Sequence, residues 1–263
     1  MRTRGTSPKA QSGAGRLPRV VADAGRRFLP AGIVYSLRTA PFVRSAERQF
    51  ISYPKSGQSW IRYMLTQLDL AQQVAIHHDA CGFDNNTLRT PCDFCVSRHL
   101  RRYRGIDRLV YLERDPRDVL VSLYFWVTER LDRIGWQGDI STFIRDPYFG
   151  APNLRAFREV WDEVVAQRGF LKITYEQLHA DAAATLGQMV EYYGFSVDPA
   201  RVEAAAAAST FEKMREVERS DTFDEGWLRV SNDAPKMRSG RTGSYRDLAP
   251  EDVAYLNDVF ALA

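Results

Sequence analysis

Several things are missing from this sequence, and each absence removes a class of protein. No apolar run approaches the roughly 18 residues that a membrane-crossing helix requires, so no span is expected, while peripheral contact with a membrane stays open. Cysteine is scarce. The chain has three, an odd number, which argues against a secreted disulfide framework and makes a reducing compartment, the cytoplasm, the expectation. Beyond the N-terminal tail no basic stripe interleaves with aromatics, and a net charge of +3 with a pI near 8.8 does not point to nucleic acid. It does suit an anionic ligand. The triphosphate-binding pattern GxxxxGK[ST] is absent as well. Acidic residues nearly vanish from positions 1–30, where Asp23 stands alone among Arg2, Arg4, Lys9, Arg16, Arg19, Arg26 and Arg27. Those positions read as a disordered tail, with the domain itself over 31–263. An Arg-rich, acid-poor start also fits an organelle transit peptide, the alternative address. The more apolar stretch 28–42 either packs on the core or meets a membrane surface.

What is present is enough apolar content, 44% of 263 residues, for one sizeable core. The organising stretch is FISYPKSGQSW at 50–60. A short strand enters a turn of Pro, Ser and Gly, and apolar residues then recur at Ile61, Met64, Leu65 and Leu68, the spacing of one helix face reaching about residue 70. A helix start of this kind leaves backbone N–H groups unpaired where the peptide dipoles favour negative charge, so phosphate or sulfate is its natural guest. Lys55 adds a formal charge; Ser56 and Ser59 add hydroxyls.

A short second strand over 73–76 ends at His77, His78 and Asp79. Residues 80–98 have no steady periodicity and read as a long loop, the type that is usually functional. Within it Cys81, Cys92, Cys95 and His99 spell C-x10-C-x2-C-x3-H, a candidate zinc set whose competing reading is plain loop thiols. The working expectation is that no metal is required. The clearest strand, 107–113, runs into RDPRDVLVS at 114–122, where Asp115 and Pro116 make a strong helix start. Arg114 thus falls at the carboxyl end of a parallel strand and Ser122 about two turns into the helix. Ligands of open α/β sheets gather outside such strand ends. Aromatics crowd the next stretch: Trp126, Trp136, Phe143, Tyr148, Phe149, Phe157 and Trp161. Some must be core, and those around Gly135, Trp136 and 146–150 also suit the wall of an acceptor pocket. A fourth strand, 169–174, leads to YEQL at 175–178; helices are predicted over 182–193, 199–216 and 251–262.

Four segments, in order, resemble the sulfotransferases that use 3′-phosphoadenosine 5′-phosphosulfate (PAPS). YPKSGQSW resembles their phosphosulfate loop, close to YPKSGTTW. Arg114 and Ser122 match the arginine and serine, eight residues apart, that hold the 3′-phosphate. Tyr175 matches the tyrosine of a YEDL segment that lies against adenine. MRSGRTGSYR at 237–246 resembles RKGxxGDWK, with Arg238 and Gly240 at phosphate-contacting positions and Ser239 in place of the usual lysine, a charge that Arg241 is placed to supply.

The resemblance implies an α/β fold, a single-domain doubly wound sandwich in which a central parallel sheet, similar to that of P-loop NTPases, is flanked by helices. It implies PAPS as cofactor, with adenosine 3′,5′-bisphosphate (PAP) as its spent form. The loop residues Lys55, Ser56, Gly57, Gln58, Ser59 and Trp60 would cradle the 5′ end, Lys55 also stabilising the leaving phosphate. A histidine would act as general base, its pKa lying near working pH. No KTHLP pattern marks it here. His78, beside Asp79, fits best by position; His99 and His77 follow, and His179 reads as a surface residue. The acceptor, a small molecule, glycan or lipid bearing a hydroxyl or amine, is not legible. A nucleotide kinase and a nonenzymatic anion-binding or membrane-associated module are the competing classes.

Overall fold

The computed structural model describes residues 47–78, 106–130, 136–220, 228, 234–238 and 240–262. The basic tail, Ser239 and the proposed zinc set Cys81, Cys92, Cys95 and His99 lie outside the described residues.

Four strands form one sheet in the order β2-β1-β3-β4: β1 (Arg48–Ser52), β2 (Ala75–His77), β3 (Arg108–Glu113) and β4 (Leu171–Thr174). Every neighbouring pair is parallel, with Phe50 opposite both Ile76 and Val110, and Leu112 opposite Ile173. Alternation along the two central strands explains the near-continuous apolar runs. Ile51, Leu109 and Tyr111 face one layer; Phe50, Val110 and Leu112 face the other.

The first layer is built on α2 (Pro116–Phe125), α3 (Ile140–Arg145), α4 (Ala151–Arg168) and α9 (Pro250–Phe260). The second uses α1 (Gln58–Gln67), α5 (Tyr175–Ala180), α6 (Ala182–Tyr192) and α7 (Pro199–Ala208). Helices on both faces of a parallel sheet make the fold doubly wound, as expected. In this strand order the winding direction reverses between β1 and β3, and a crevice opens outside the carboxyl ends of those two strands.

Two elements depart most from expectation. Residues 71–73 form a 3₁₀ turn, so the second strand covers Ala75–His77. The helix predicted over 199–216 is two, α7 and α8 (Phe211–Ser220), separated at 209–210, where buried Ser209 turns its hydroxyl onto the Ala205 carbonyl at 2.6 Å. The aromatics Trp136, Phe143 and Phe149 pack on one another in the first layer, centroids 5.2 to 5.7 Å apart, and so serve the core. The cavity wall takes Trp126 instead, the first residue of a π-helical turn, Trp126–Arg130, that continues α2.

Among the described residues no helix is long and apolar enough to cross a membrane.

Candidate active site

The loop between β1 and α1 carries the site. Lys55 lies in the left-handed region at φ 74°, unusual for a residue with a side chain, and this turns its carbonyl toward Arg114, whose Nη1 donates to it at 3.1 Å. Gly57 caps α1 at φ 111°. A Cβ there would come within 2.8 Å of the Tyr175 ring, so both conformation and space require glycine. Trp60 and Ile61 donate to the Gly57 carbonyl, while the N–H groups of Gly57, Gln58 and Ser59 have no acceptor among the described residues. They open the anion cradle that the sequence suggested.

Asp115 caps α2, accepting from Arg117 N–H at 2.9 Å, and this sets Arg114 at the mouth of β3. Its guanidinium is almost enclosed. Nη2 donates to the Arg241 carbonyl at 3.0 Å and lies 3.8 Å from Asp118, the Tyr175 ring sits 4.2 Å from the guanidinium carbon, and the buried Nε has no partner. A buried guanidinium N–H without an acceptor costs free energy, and an anion's oxygen would relieve it.

Asp118, one turn after Arg114 on α2, was not picked out from the sequence. It is 1% exposed, and its carboxylate accepts from the N–H of Gly243 at 2.7 Å and of Tyr245 at 3.1 Å. It therefore ties the C-terminal segment to the helix that bears Arg114 and Ser122. The i, i+4 spacing of Arg114 and Asp118 was the available signal.

At the other end of the loop, the adjacent histidines go to different places. His77 is buried, its Nε2–H donating to Gln49 at 2.9 Å, and desolvation, with a smaller push from His78, lowers its pKa to about 3. His78 faces the cavity. Its Nδ1 lies 2.7 Å from the Ser52 carbonyl, which only accepts, so the contact calls for a proton on Nδ1, and in the neutral tautomer that makes this bond the lone pair is on Nε2. Gln58, standing where the family pattern has a threonine, donates to the His77 carbonyl at 3.1 Å and steadies this turn.

One cavity of about 480 Å³ is lined by Lys55, Gly57, Gln58, Ser59, Trp60, His77, His78, Arg114, Ser122, Trp126, Tyr175, Arg238 and Gly240, among others. It thus gathers most of the residues singled out in the sequence; Ser56, in the same loop, is buried and is not part of the lining. His179 is exposed on α5, its ring 6.1 Å from Tyr175. Phe211 and Lys236 also line the cavity and were not anticipated. Positive charge dominates. Burial first, then Lys236, Arg130, Arg114 and Arg238, bring the Lys55 pKa down to about 7. Burial likewise lowers Arg238, whose guanidinium lies 4.2 Å from the Phe125 centroid. Gly240, at φ 62°, passes so close to Phe211 that a Cβ would approach its ring to 2.4 Å. No group of three or more His, Cys, Asp or Glu able to hold a metal occurs among the described residues.

A doubly wound parallel sheet with a lysine-bearing anion loop at its switch point and arginines converging from two further segments defines an α/β protein built to bind a ligand with more than one anionic group. Within that class the assignment is specific: residues 106–261 match the sulfotransferase domain model, and the chain belongs to that family. It is similar to mouse sulfotransferase 2A2, 23% identical over 243 residues and 82% of each chain, and to human sulfotransferase 2A1, 22% identical over 226 residues, 78% of this chain and 79% of that one. In fold it resembles mouse sulfotransferase SULT7A1 complexed with PAP, at a TM-score of 0.58, 16% identity and coverage of 81% and 82%. It also resembles retinol dehydratase in complex with androsterone and inactive cofactor PAP, at 0.58, 15% identity and coverage of 86% and 84%.

Proposed function

We propose that the chain moves the sulfuryl group of PAPS to a hydroxyl or amine of a small-molecule, glycan or lipid acceptor, with Lys55 and His78 as catalytic residues. The observation that carries this reading is the convergence on one cavity of the Lys55 loop, the enclosed Arg114 with its unpartnered Nε, and the Nδ1-protonated ring of His78. When bound, PAPS supplies the sulfuryl group and a phosphate leaving group.

The chain's own residues do the rest. The N–H groups of Gly57, Gln58 and Ser59 and the hydroxyl of Ser59 hold the 5′ end, while Arg114, Ser122 and Arg238 hold the 3′-phosphate, with Gly240 beside it. Trp60 and Tyr175, rings 5.9 Å apart, offer flat faces to the base. Lys55 starts with its pKa near 7, and an arriving anion raises it by attraction, so the ammonium is charged where negative charge develops on the leaving oxygen. His78 accepts the acceptor's proton at Nε2; a base of this kind contributes about 10²–10⁴-fold. His77 suits the role less well, since its ring is spent on Gln49 and resists protonation. Scarce cysteine supports a reducing compartment, the cytoplasm, as the working location.

The test is calorimetric titration with PAP against ATP, repeated with Arg114→Ala, then a screen of hydroxyl and amine acceptors read by PAP release. Binding of PAP that ATP does not match, lost in the variant, supports the reading. No preference for PAP overturns it.

A further inference from the structure

We propose that Lys236 is a donor-specificity residue, its ammonium holding the terminal sulfonate of PAPS, the group that spent PAP lacks. The inference rests on the sulfotransferase reading above and adds to it a residue that no sequence motif suggested.

Lys236 and Arg238 stand two positions apart, yet they serve different parts of the cavity that both line. Of the charges acting on Lys55, that of Lys236 is the strongest, ahead of Arg130, Arg114 and Arg238. Arg238 instead lies over Phe125, and its charged neighbours are Glu129, Arg241, Arg114 and Asp118, the surroundings of the 3′-phosphate site. One segment therefore sends one cation to each end of a doubly anionic ligand. Both lysines line the one cavity, so an anion lodged between them is attracted by two positive charges.

The position of Lys236 is built. Glu218, 2% exposed, accepts from the backbone N–H of Lys236 through Oε1 and from that of Met237 through Oε2 at 3.1 Å. The same carboxylate lies 3.7 Å from Arg130, which in turn donates to the Ala234 carbonyl. A buried carboxylate engaged in this way fixes the segment on both sides of the lysine. Arg241, the cation that the sequence offered in place of the missing lysine, goes elsewhere: its side chain is 70% exposed and lies 3.9 Å from Asp247.

The experiment is equilibrium binding of PAP and of PAPS, each without acceptor, to the wild-type chain, Lys236→Met and Lys236→Arg. Loss of one charge-assisted contact weakens PAPS about tenfold in Lys236→Met. PAP affinity stays within about twofold, and Lys236→Arg recovers most of the loss. Equal weakening of both ligands would mean that the segment has merely shifted Arg238, and unchanged binding of both would assign Lys236 to an anionic acceptor or to no ligand; either result overturns the proposal. Failure of the wild-type chain to bind PAP is a separate outcome, and it removes the sulfotransferase reading itself.

Discussion

One wall of the cavity is made by residues within a few positions of a strand end, and the other by a segment held through contacts far away in sequence. Lys55, His78 and Arg114 follow β1, β2 and β3 by one to three residues, so the sheet itself sets where they stand. The opposite wall, from Phe211 to Ser244, depends on two buried carboxylates: Asp118 on α2 accepts from Gly243, 125 positions on, and Glu218, on α8 within the wall, holds 236 and 237. Rigid strand ends suit chemistry, where a small displacement of a reacting group is costly. A strap pinned by a few hydrogen bonds suits the capture and release of a ligand. Rate should therefore fall with changes at Lys55 and His78 in the first wall, and affinity with changes in the second and at Arg114, the strand-end residue that the strap's Arg241 carbonyl engages.

The strongest break is expected at the histidine pair. His78→Ala should lower turnover about 10²–10⁴-fold while leaving PAP binding near wild type. His77→Gln should keep turnover and lose stability, by about 1–3 kcal/mol if Gln49 is left unsatisfied, measured by denaturant unfolding. Because the folded pKa of His77, about 3, lies below its unfolded value, its contribution is full above about pH 6.5 and is lost as pH falls toward 3. His77→Gln should flatten that acid limb. The reverse pattern, turnover lost at His77 and kept at His78, would reassign the base.

Lys55→Ala comes next, with a fall in kcat of about 10²–10³-fold measured by PAP release under saturating PAPS. On the strap, Asp118→Ala removes two hydrogen bonds to a carboxylate and should weaken PAP by about tenfold to a hundredfold in calorimetry, with a smaller effect on kcat. A loss confined to kcat would contradict the division between the walls. Gly240→Ala, forced against Phe211 in a left-handed conformation, should weaken PAP about tenfold at unchanged kcat.

The smallest signal is a proton. Lys55 is depressed to about 7 in the empty site, against about 10.4 for an ordinary lysine, so between these values the empty site binds less than a full proton there. PAP binding at pH 8 should take up as much as about one proton, visible as a dependence of calorimetric enthalpy on buffer, and Lys55→Ala should abolish it.

How much of this was legible follows the same division. The sheet, both helical layers and the strand-end residues could be read because their signals are local: apolar runs, an Asp-Pro helix start, a lysine-glycine turn. Asp118, Lys236, Glu218 and Phe211 gave no comparable signal, since an acid on a helix or a lysine in a loop is usually solvated, and only the tertiary path of the strap turns them inward. The aromatic stretch was legible only as a group for a related reason. Trp126 and Trp136 look alike in sequence, and what separates them is a π-helical turn that periodicity does not reveal.

That turn, Trp126–Arg130, can also be seen as a matter of chain length. A π turn holds one residue more than the α-helical turn it replaces. The widened turn therefore takes up its extra residue locally, setting Trp126 in the cavity wall while Arg130 still reaches Glu218 and the Ala234 carbonyl. Removing one residue would restore a regular helical turn and leave one side chain fewer to divide between cavity and strap. The fit of the two walls is thus set in part by a count of residues, which an insertion or deletion changes and a substitution does not.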